Sequence, residues 1–232
     1  MIAVVLAAGR GTRLPGPVPK PLAPVAGTAA IDRILGALGD DGFADVAVVT
    51  GYRGDEVEDH IGAAYPETRF CRQTQPVGTA DAVRAARETV GDGPFLLAWA
   101  DVILAPGSYR RVADAVSGHD GALGVNHLND RSAGSAVTIE DRLAVSIVEK
   151  PMPLPGWNLT GVLALSFGIW AHIDALEPSV RGEYELPEAV DAWIAAGATV
   201  AAVAMEGPVF EIGTPAGLAE ADAYFAADTR DR

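Results

Sequence analysis

Ile2-Ala3-Val4-Val5-Leu6-Ala7-Ala8-Gly9-Arg10-Gly11-Thr12-Arg13-Leu14, with Pro19-Lys20-Pro21-Leu22 close behind, decides how the rest of the chain is read. The apolar run has no polar alternation, which marks a strand buried on both faces. The glycines that end it let backbone N–H groups crowd around a phosphate chain. Arg13 and Lys20 bring positive charge to the same loop. Together these residues predict a phosphate-binding loop at the carboxyl end of a first β-strand.

Spacing separates this loop from two commoner glycine motifs. A P-loop needs Gly-Lys-Ser/Thr after a first glycine and four residues, and no such string occurs. A dinucleotide fingerprint needs a third glycine three residues after Gly11, where this chain has Leu14. Glycines after a strand can also mark a simple tight turn, and it is Arg13 and the Pro-Lys-Pro segment that argue for phosphate.

Composition bounds the function. The 232 residues are 49% hydrophobic and 21% charged, which suits one folded α/β domain with a substantial core. A net charge of −14, with no run of Lys or Arg, argues against nucleic acid as a partner. An anionic substrate must then be captured by a few placed cations, which singles out Arg13, Lys20 and Lys150. The amino-terminal apolar stretch is too short to span a bilayer and no charged leader precedes it, so a cytoplasmic protein without membrane contact is expected. The single cysteine, Cys71, reads as a packed strand residue. His60, His119, His127 and His172 show no metal-ligand spacing.

Strand-like runs at 46–50, 95–100, 122–125, 162–166 and 200–204 alternate with helical spacing near 30–38, 55–63, 79–89, 109–116 and 186–196. This alternation predicts a Rossmann-like, doubly wound α/β fold with a mainly parallel sheet and ligands at the carboxyl ends of its strands. Two short runs around Glu140-Asp141-Arg142 read as an inserted β-hairpin. Thr214 and Pro215 cap and open a last helix that is apolar at Leu218, Ala221 and Phe225. No linker or repeat divides residues 1–232, so a single domain is expected, without an appended carboxyl-terminal β-helix.

Gly9-x-Gly11-Thr12-Arg13 with Pro19-Lys20-Pro21 resembles the signature of the sugar-1-phosphate nucleotidylyltransferases, the nucleoside-diphosphate-sugar pyrophosphorylases. The resemblance implies that Leu6, Ala8, Gly9, Gly11, Thr12 and Arg13 wrap a nucleoside triphosphate. A second segment, Gln73-Thr74-Gln75-Pro76-Val77-Gly78-Thr79-Ala80, extends it. A glutamine amide offers donor and acceptor together and can read a nucleobase edge. In the resembled family a glutamine five residues before such a glycine contacts the base, which assigns Gln73, Gly78 and Thr79 to the nucleotide and favours dTTP or UTP.

Phe95-Leu96-Leu97-Ala98-Trp99-Ala100-Asp101 is an apolar strand ending in an acid, where a hard divalent cation such as Mg²⁺ finds carboxylate oxygen. The family has Gly-Asp there and this chain Ala100-Asp101. Relatives commonly carry Asp-x-Gly-Thr as the second metal position, where this chain has Glu211-Ile212-Gly213-Thr214. On the sugar side, Glu149-Lys150-Pro151 resembles the family's Glu-Lys-Pro segment, implying Lys150 at the sugar phosphate and Glu149 at a hydroxyl. Asn158-Leu159-Thr160-Gly161 and Arg181-Gly182-Glu183-Tyr184-Glu185-Leu186 resemble further sugar-pocket segments, and Gly134, Asn158, Thr160 and Glu183, or Glu185 in its place, complete the implied pocket. A homo-oligomer is compatible with the resemblance.

The reaction implied is attack of a sugar-1-phosphate oxygen on the α-phosphate of the triphosphate, in line, with pyrophosphate leaving. Arg13, Lys20, Lys150 and Asp101 with its Mg²⁺ neutralise and align the two polyanions. Two alternatives stay open at this point. One is a cytidylyltransferase acting on phosphocholine or another phosphorylated alcohol, with a tryptophan cage for the cation. The other is a nucleotide-sugar-binding regulator without turnover.

Overall fold

The computed structural model describes residues 1–11 and 16–228. In chain order the strands are β1 (Ile2–Leu6), β2 (Pro24–Val25), β3 (Thr28–Ala29), β4 (Val46–Thr50), β5 (Arg69–Arg72), β6 (Phe95–Trp99) and β7 (Val102–Leu104). They continue with β8 (Gly121–Leu128), β9 (Ser135–Glu140), β10 (Leu143–Glu149), β11 (Gly156–Leu165), β12 (Val200–Ala204) and β13 (Val209–Glu211). The helices are α1 (Ala30–Asp40), α2 (Gly54–Ala64), α3 (Thr79–Ala85), α4 (Arg87–Val90), α5 (Ser108–Asp114), α6 (Ile169–Asp174), α7 (Leu186–Ala195) and α8 (Pro215–Asp228).

Nine strands form one sheet in the order β5-β4-β1-β6-β11-β8-β12-β10-β9. The expected doubly wound α/β architecture is present, with β5, β4, β1 and β6 all parallel and β12 parallel to β8, but the sheet is not parallel throughout. Strand β11 runs antiparallel to both β6 and β8, which makes the sheet mixed. The cause is the inserted hairpin. After β8 the chain makes the β9–β10 excursion and returns along the edge it left, so β11 must run backwards beside β8. The reversal places the start of β11 level with the carboxyl ends of β1, β6 and β8, and four segments remote in sequence meet at one sheet edge.

Strand β1 carries an unbroken apolar sequence because helices cover both sheet faces. Ala3 and Val5 face a core with Ile31, Ile34 and Leu38 of α1, Val57 and Ile61 of α2 and Val112 of α5. Ile2 and Val4 face the opposite core, with Val83 of α3, Trp170 of α6 and Leu186, Val190 and Trp193 of α7. In α1 the buried positions Ala30, Ile31, Ile34, Leu35 and Leu38 follow the helical period. Cys71 is buried in β5, as expected of a packed strand residue. The helix expected over 79–89 is two helices, because the turn at Ala86 closes with a short bond from its N–H to the Val83 carbonyl.

The hairpin forms where it is expected, Ser135 pairing with Glu149 and Glu140 with Leu143. Its tip, Asp141-Arg142, has φ of 48° and 68°, the two left-handed residues of a type I′ turn. Thr214 accepts the Gly217 N–H on its Oγ1 at 3.1 Å and so caps α8. A separate two-stranded pairing, β7 with β13, sets Glu211 opposite Val102.

Candidate active site

The strand ends surround a cleft of about 720 Å³. Leu6, Ala8, Gly9 and Gly11 line one end with Lys20, Gln73, Gly78 and Thr79. Gly134, Glu149, Lys150, Asn158, Thr160 and Glu183 line the other, and Asp101 and Glu211 also border the cleft. Thr12 and Arg13, both expected at the nucleotide, lie outside the described residues.

The glycine loop is built by close backbone approach. The Ala7 N–H donates to the Val49 carbonyl at 2.8 Å, the Tyr52 N–H to Ala8 at 3.2 Å and the Ala100 N–H to Leu6 at 3.0 Å, which fixes the loop between β4 and β6. Gly11 has a φ of 61°, and a Cβ there would stand 3.0 Å from Lys20 Cβ, so the lysine stem lies against the loop. A Cβ on Gly9 would meet no atom of the described residues within 4 Å, so among them nothing obstructs the approach of a ligand. Gly51, which the sequence reading missed, is required because a Cβ would come within 2.9 Å of Ala8.

At the base end, the Gln73 N–H donates to the Thr50 carbonyl at 2.8 Å, and Gln73 Nε2 donates to the Gly78 carbonyl and to Asp81 Oδ2, both at 3.0 Å. The reason for Gly78 differs from the expected one. With φ of 117°, a Cβ there would lie 2.3 Å from the Tyr184 carbonyl oxygen, so glycine is demanded by the neighbouring chain segment, whatever the base requires. Thr79 Oγ1 likewise accepts the Leu186 N–H at 2.9 Å, satisfying the start of α7.

Between the two ends, Lys20 Nζ donates to Asp101 Oδ2 at 2.6 Å, with the side chains 15% and 22% exposed. The β7–β13 pairing, continued by an Ile212 N–H bond to the Asp101 carbonyl at 2.9 Å, carries Glu211 to the same edge. Mg²⁺ is bound through one or two carboxylates with water and substrate phosphates making up the rest. Asp101 and Glu211 fit that donor set. Among the described residues no group of three or more His, Cys, Asp and Glu could hold a metal alone.

The far end is polar and acidic. Ser135 Oγ donates to Glu149 Oε2, and the Lys150 N–H donates to the Gly134 carbonyl at 2.8 Å. Gly134 lies under the Asn158 side chain, since a Cβ there would be 2.2 Å from Asn158 Oδ1. Arg181, which opens the segment carrying Glu183 and Glu185 but has no role of its own in the sequence reading, is the hub: it donates to Glu185 Oε1 and stands 3.5 Å from Glu149 and 3.6 Å from Glu183. Burial and the neighbouring Glu185 raise the Glu183 carboxyl above the ordinary range. Asn126 Oδ1, Asn158 Oδ1 and Thr160 Oγ1 are buried without a hydrogen-bond partner among the described residues. Asn126 too escaped the sequence reading, and only its place at the end of β8 exposes it.

The tryptophans do not form a cage at this site. Of the four, Trp99 alone is among the residues that line the cleft, while Trp170 and Trp193 are packed in the core and Trp157 pairs edge-on with His127. Among the described residues no helix is long and apolar enough to cross a membrane.

The sequence profile described as the MobA-like NTP transferase domain matches residues 3–206, which takes in the glycine loop, Gln73, Asp101, the hairpin and Arg181. The chain belongs to this family. It is a nucleotidyltransferase, and the likeness to the sugar-1-phosphate nucleotidylyltransferases extends over almost its whole length. A UTP–glucose-1-phosphate uridylyltransferase, AglF of Haloferax volcanii, is 31% identical over 99% of this chain and 98% of its own. A glucose-1-phosphate thymidylyltransferase of Streptomyces antibioticus is 30% identical over 100% of this chain. The low-salt glycan biosynthesis nucleotidyltransferase Agl11, also of Haloferax volcanii, is 29% identical over 96% of this chain. This nucleotidyltransferase spans 65% of the length of Agl11 and 68% of the Streptomyces protein. Its fold matches that of a UDP-glucose pyrophosphorylase complexed with UDP-glucose, with a TM-score of 0.85, 18% identity and 98% of each chain covered.

Proposed function

We propose that this nucleotidyltransferase transfers a nucleoside monophosphate from UTP or dTTP to a sugar-1-phosphate in the cytoplasm, forming a nucleoside-diphosphate sugar and pyrophosphate. The observation that carries this reading is the two-ended cleft. Its lining brings the glycine loop, Lys20 and Gln73 together with Glu149, Lys150, Asn158, Thr160 and Glu183, which supports a site for phosphates and base beside one for sugar hydroxyls with its own cation, Lys150.

The acceptor phosphate oxygen is already an anionic nucleophile, so the work of the site is to bring two polyanions together in line. The Gly9–Gly11 backbone and Arg13 receive the triphosphate. Lys20 follows the phosphates into the cleft by exchanging its carboxylate partner for a phosphate oxygen, and Lys150 draws in the sugar phosphate. Glu149, Asn158, Thr160 and Glu183 orient the ring through its hydroxyls. Asp101 and Glu211 would hold Mg²⁺, which when bound supplies charge neutralisation on the phosphates.

The base and the acceptor follow from two details. Gln73 spends its amide N–H groups on the protein, which leaves its oxygen for a base that presents an N–H, as uracil and thymine do. Cytosine presents a bare ring nitrogen there, and the absence of a tryptophan cage lining the described cleft speaks against choline.

Steady-state kinetics of two variants test the division of the cleft. Gln73→Ala is expected to raise the KM for the nucleotide with little change for the sugar phosphate, and Lys150→Ala to do the reverse. Parallel changes in both constants for both variants would contradict the assignment.

A further inference from the structure

We propose that Asp81 is a positioning residue that sets which nucleobases the cleft admits, by holding the Gln73 amide with its oxygen toward the base. This inference rests on the reading that Gln73 meets the base. Gln73 Nε2 donates to two oxygens at once, the Gly78 carbonyl and Asp81 Oδ2, each at 3.0 Å. Neither oxygen can donate in return. Turning the amide over would set Gln73 Oε1 against a carbonyl and a carboxylate, so one orientation is enforced. Among the described residues no hydrogen bond reaches Oε1, and Gln73 lines the cleft, so the fixed orientation leaves this oxygen as an acceptor for a base.

Asp81 is itself anchored. Arg84 Nη1 lies 3.8 Å from Asp81 Oδ1, the Arg84 guanidinium lies over the Tyr184 ring at 5.0 Å, and its Nη2 donates to the Ile173 carbonyl. The Tyr184 backbone in turn bonds to Val77 at 2.7 Å and receives the Ala80 N–H at 2.9 Å. The chain of contacts runs from the base reader through Asp81 and Arg84 to the segment that carries Glu183 and Glu185. A base edge with a ring N–H, that of uracil or thymine and also that of guanine, satisfies the fixed acceptor, so the discrimination it sets is against cytosine and adenine. The ring nitrogens of cytosine and adenine meet it lone pair to lone pair.

The test compares kcat/KM for UTP with that for CTP in the wild type, Asp81→Asn, Asp81→Glu and Gln73→Ala. An asparagine at 81 can donate to a turned Gln73, so the reversed amide becomes admissible. The UTP preference is expected to fall on the order of tenfold in Asp81→Asn, while the Gly78 carbonyl prevents full inversion. Asp81→Glu is expected to retain the preference, and competition binding of MgUTP and MgCTP reads the same ratio without turnover. An unchanged ratio in Asp81→Asn, alongside a lost preference in Gln73→Ala, would overturn the role of Asp81 and leave that of Gln73 standing. An unchanged ratio in both would overturn the assignment of Gln73 to the base as well.

Discussion

At the scale of single residues, the 2.6 Å bond between Lys20 and Asp101 is the centre of the site. Both groups are mostly sequestered from water, so each depends on the other for its charge balance until a ligand arrives. Replacing Asp101 with asparagine keeps the shape and removes the anion that pairs with Lys20 and is proposed to hold Mg²⁺. Asp101→Asn is expected to lower kcat on the order of 10²- to 10³-fold, with an unchanged far-UV circular dichroism spectrum. A variant that kept more than about a tenth of the activity would remove Asp101 from the proposed mechanism. Asp101 and Gln73 could be picked out as candidates in the sequence because each follows a strand in a recognisable string. Arg181 and Asp81 lie within such strings, yet neither stands out in them. Their importance lies in what they touch, Glu149 and Glu185 in one case and Gln73 in the other, and nothing local to either marks that.

At the scale of elements, β1, β6, the hairpin and α8 could be read from local pattern: apolar runs, a three-residue polar tip and a cap followed by proline. The β7–β13 pairing and the reversal of β11 could not, because strand partners far apart in sequence leave no periodic trace in either segment. One such long-range join makes a pH-dependent contribution. Asp120 Oδ2 accepts the Thr199 N–H at 2.8 Å and the Thr199 hydroxyl at 2.9 Å, stapling the starts of β8 and β12. The backbone bond from Thr199, then its hydroxyl bond, hold the Asp120 carboxyl below its usual value of 3.8. A depressed carboxylate contributes stability above its unfolded pKa and loses it as pH falls through the lower folded value. Asp120→Ala is therefore expected to lower the denaturant midpoint at neutral pH, with the difference from the wild type shrinking as pH falls through the lowered folded value. Equal midpoints at neutral pH would show that the staple adds nothing.

At the scale of the whole molecule, the mixed sheet explains why one cleft can hold two phosphate compounds. The parallel half presents the glycine loop and Asp101 at its strand ends, as open α/β sheets do. The antiparallel strand β11 and the hairpin add a second wall at the same edge, with Asn158, Thr160 and Glu149 upon it. In a chain with a net charge of −14, Arg10, Lys20, Lys150 and Arg181, four of the 17 Lys and Arg residues, line this cleft, where they can offset the charge of entering anions. The central claim is that the two walls serve one transfer reaction. Pyrophosphate release measured with Mg²⁺ across five nucleoside triphosphates and a panel of sugar-1-phosphates, with phosphocholine included, tests it most directly. The expected result is release confined to UTP or dTTP with a sugar-1-phosphate and abolished by chelation of the metal. Release with CTP and phosphocholine, or none with any pair while nucleotide still binds, would contradict it.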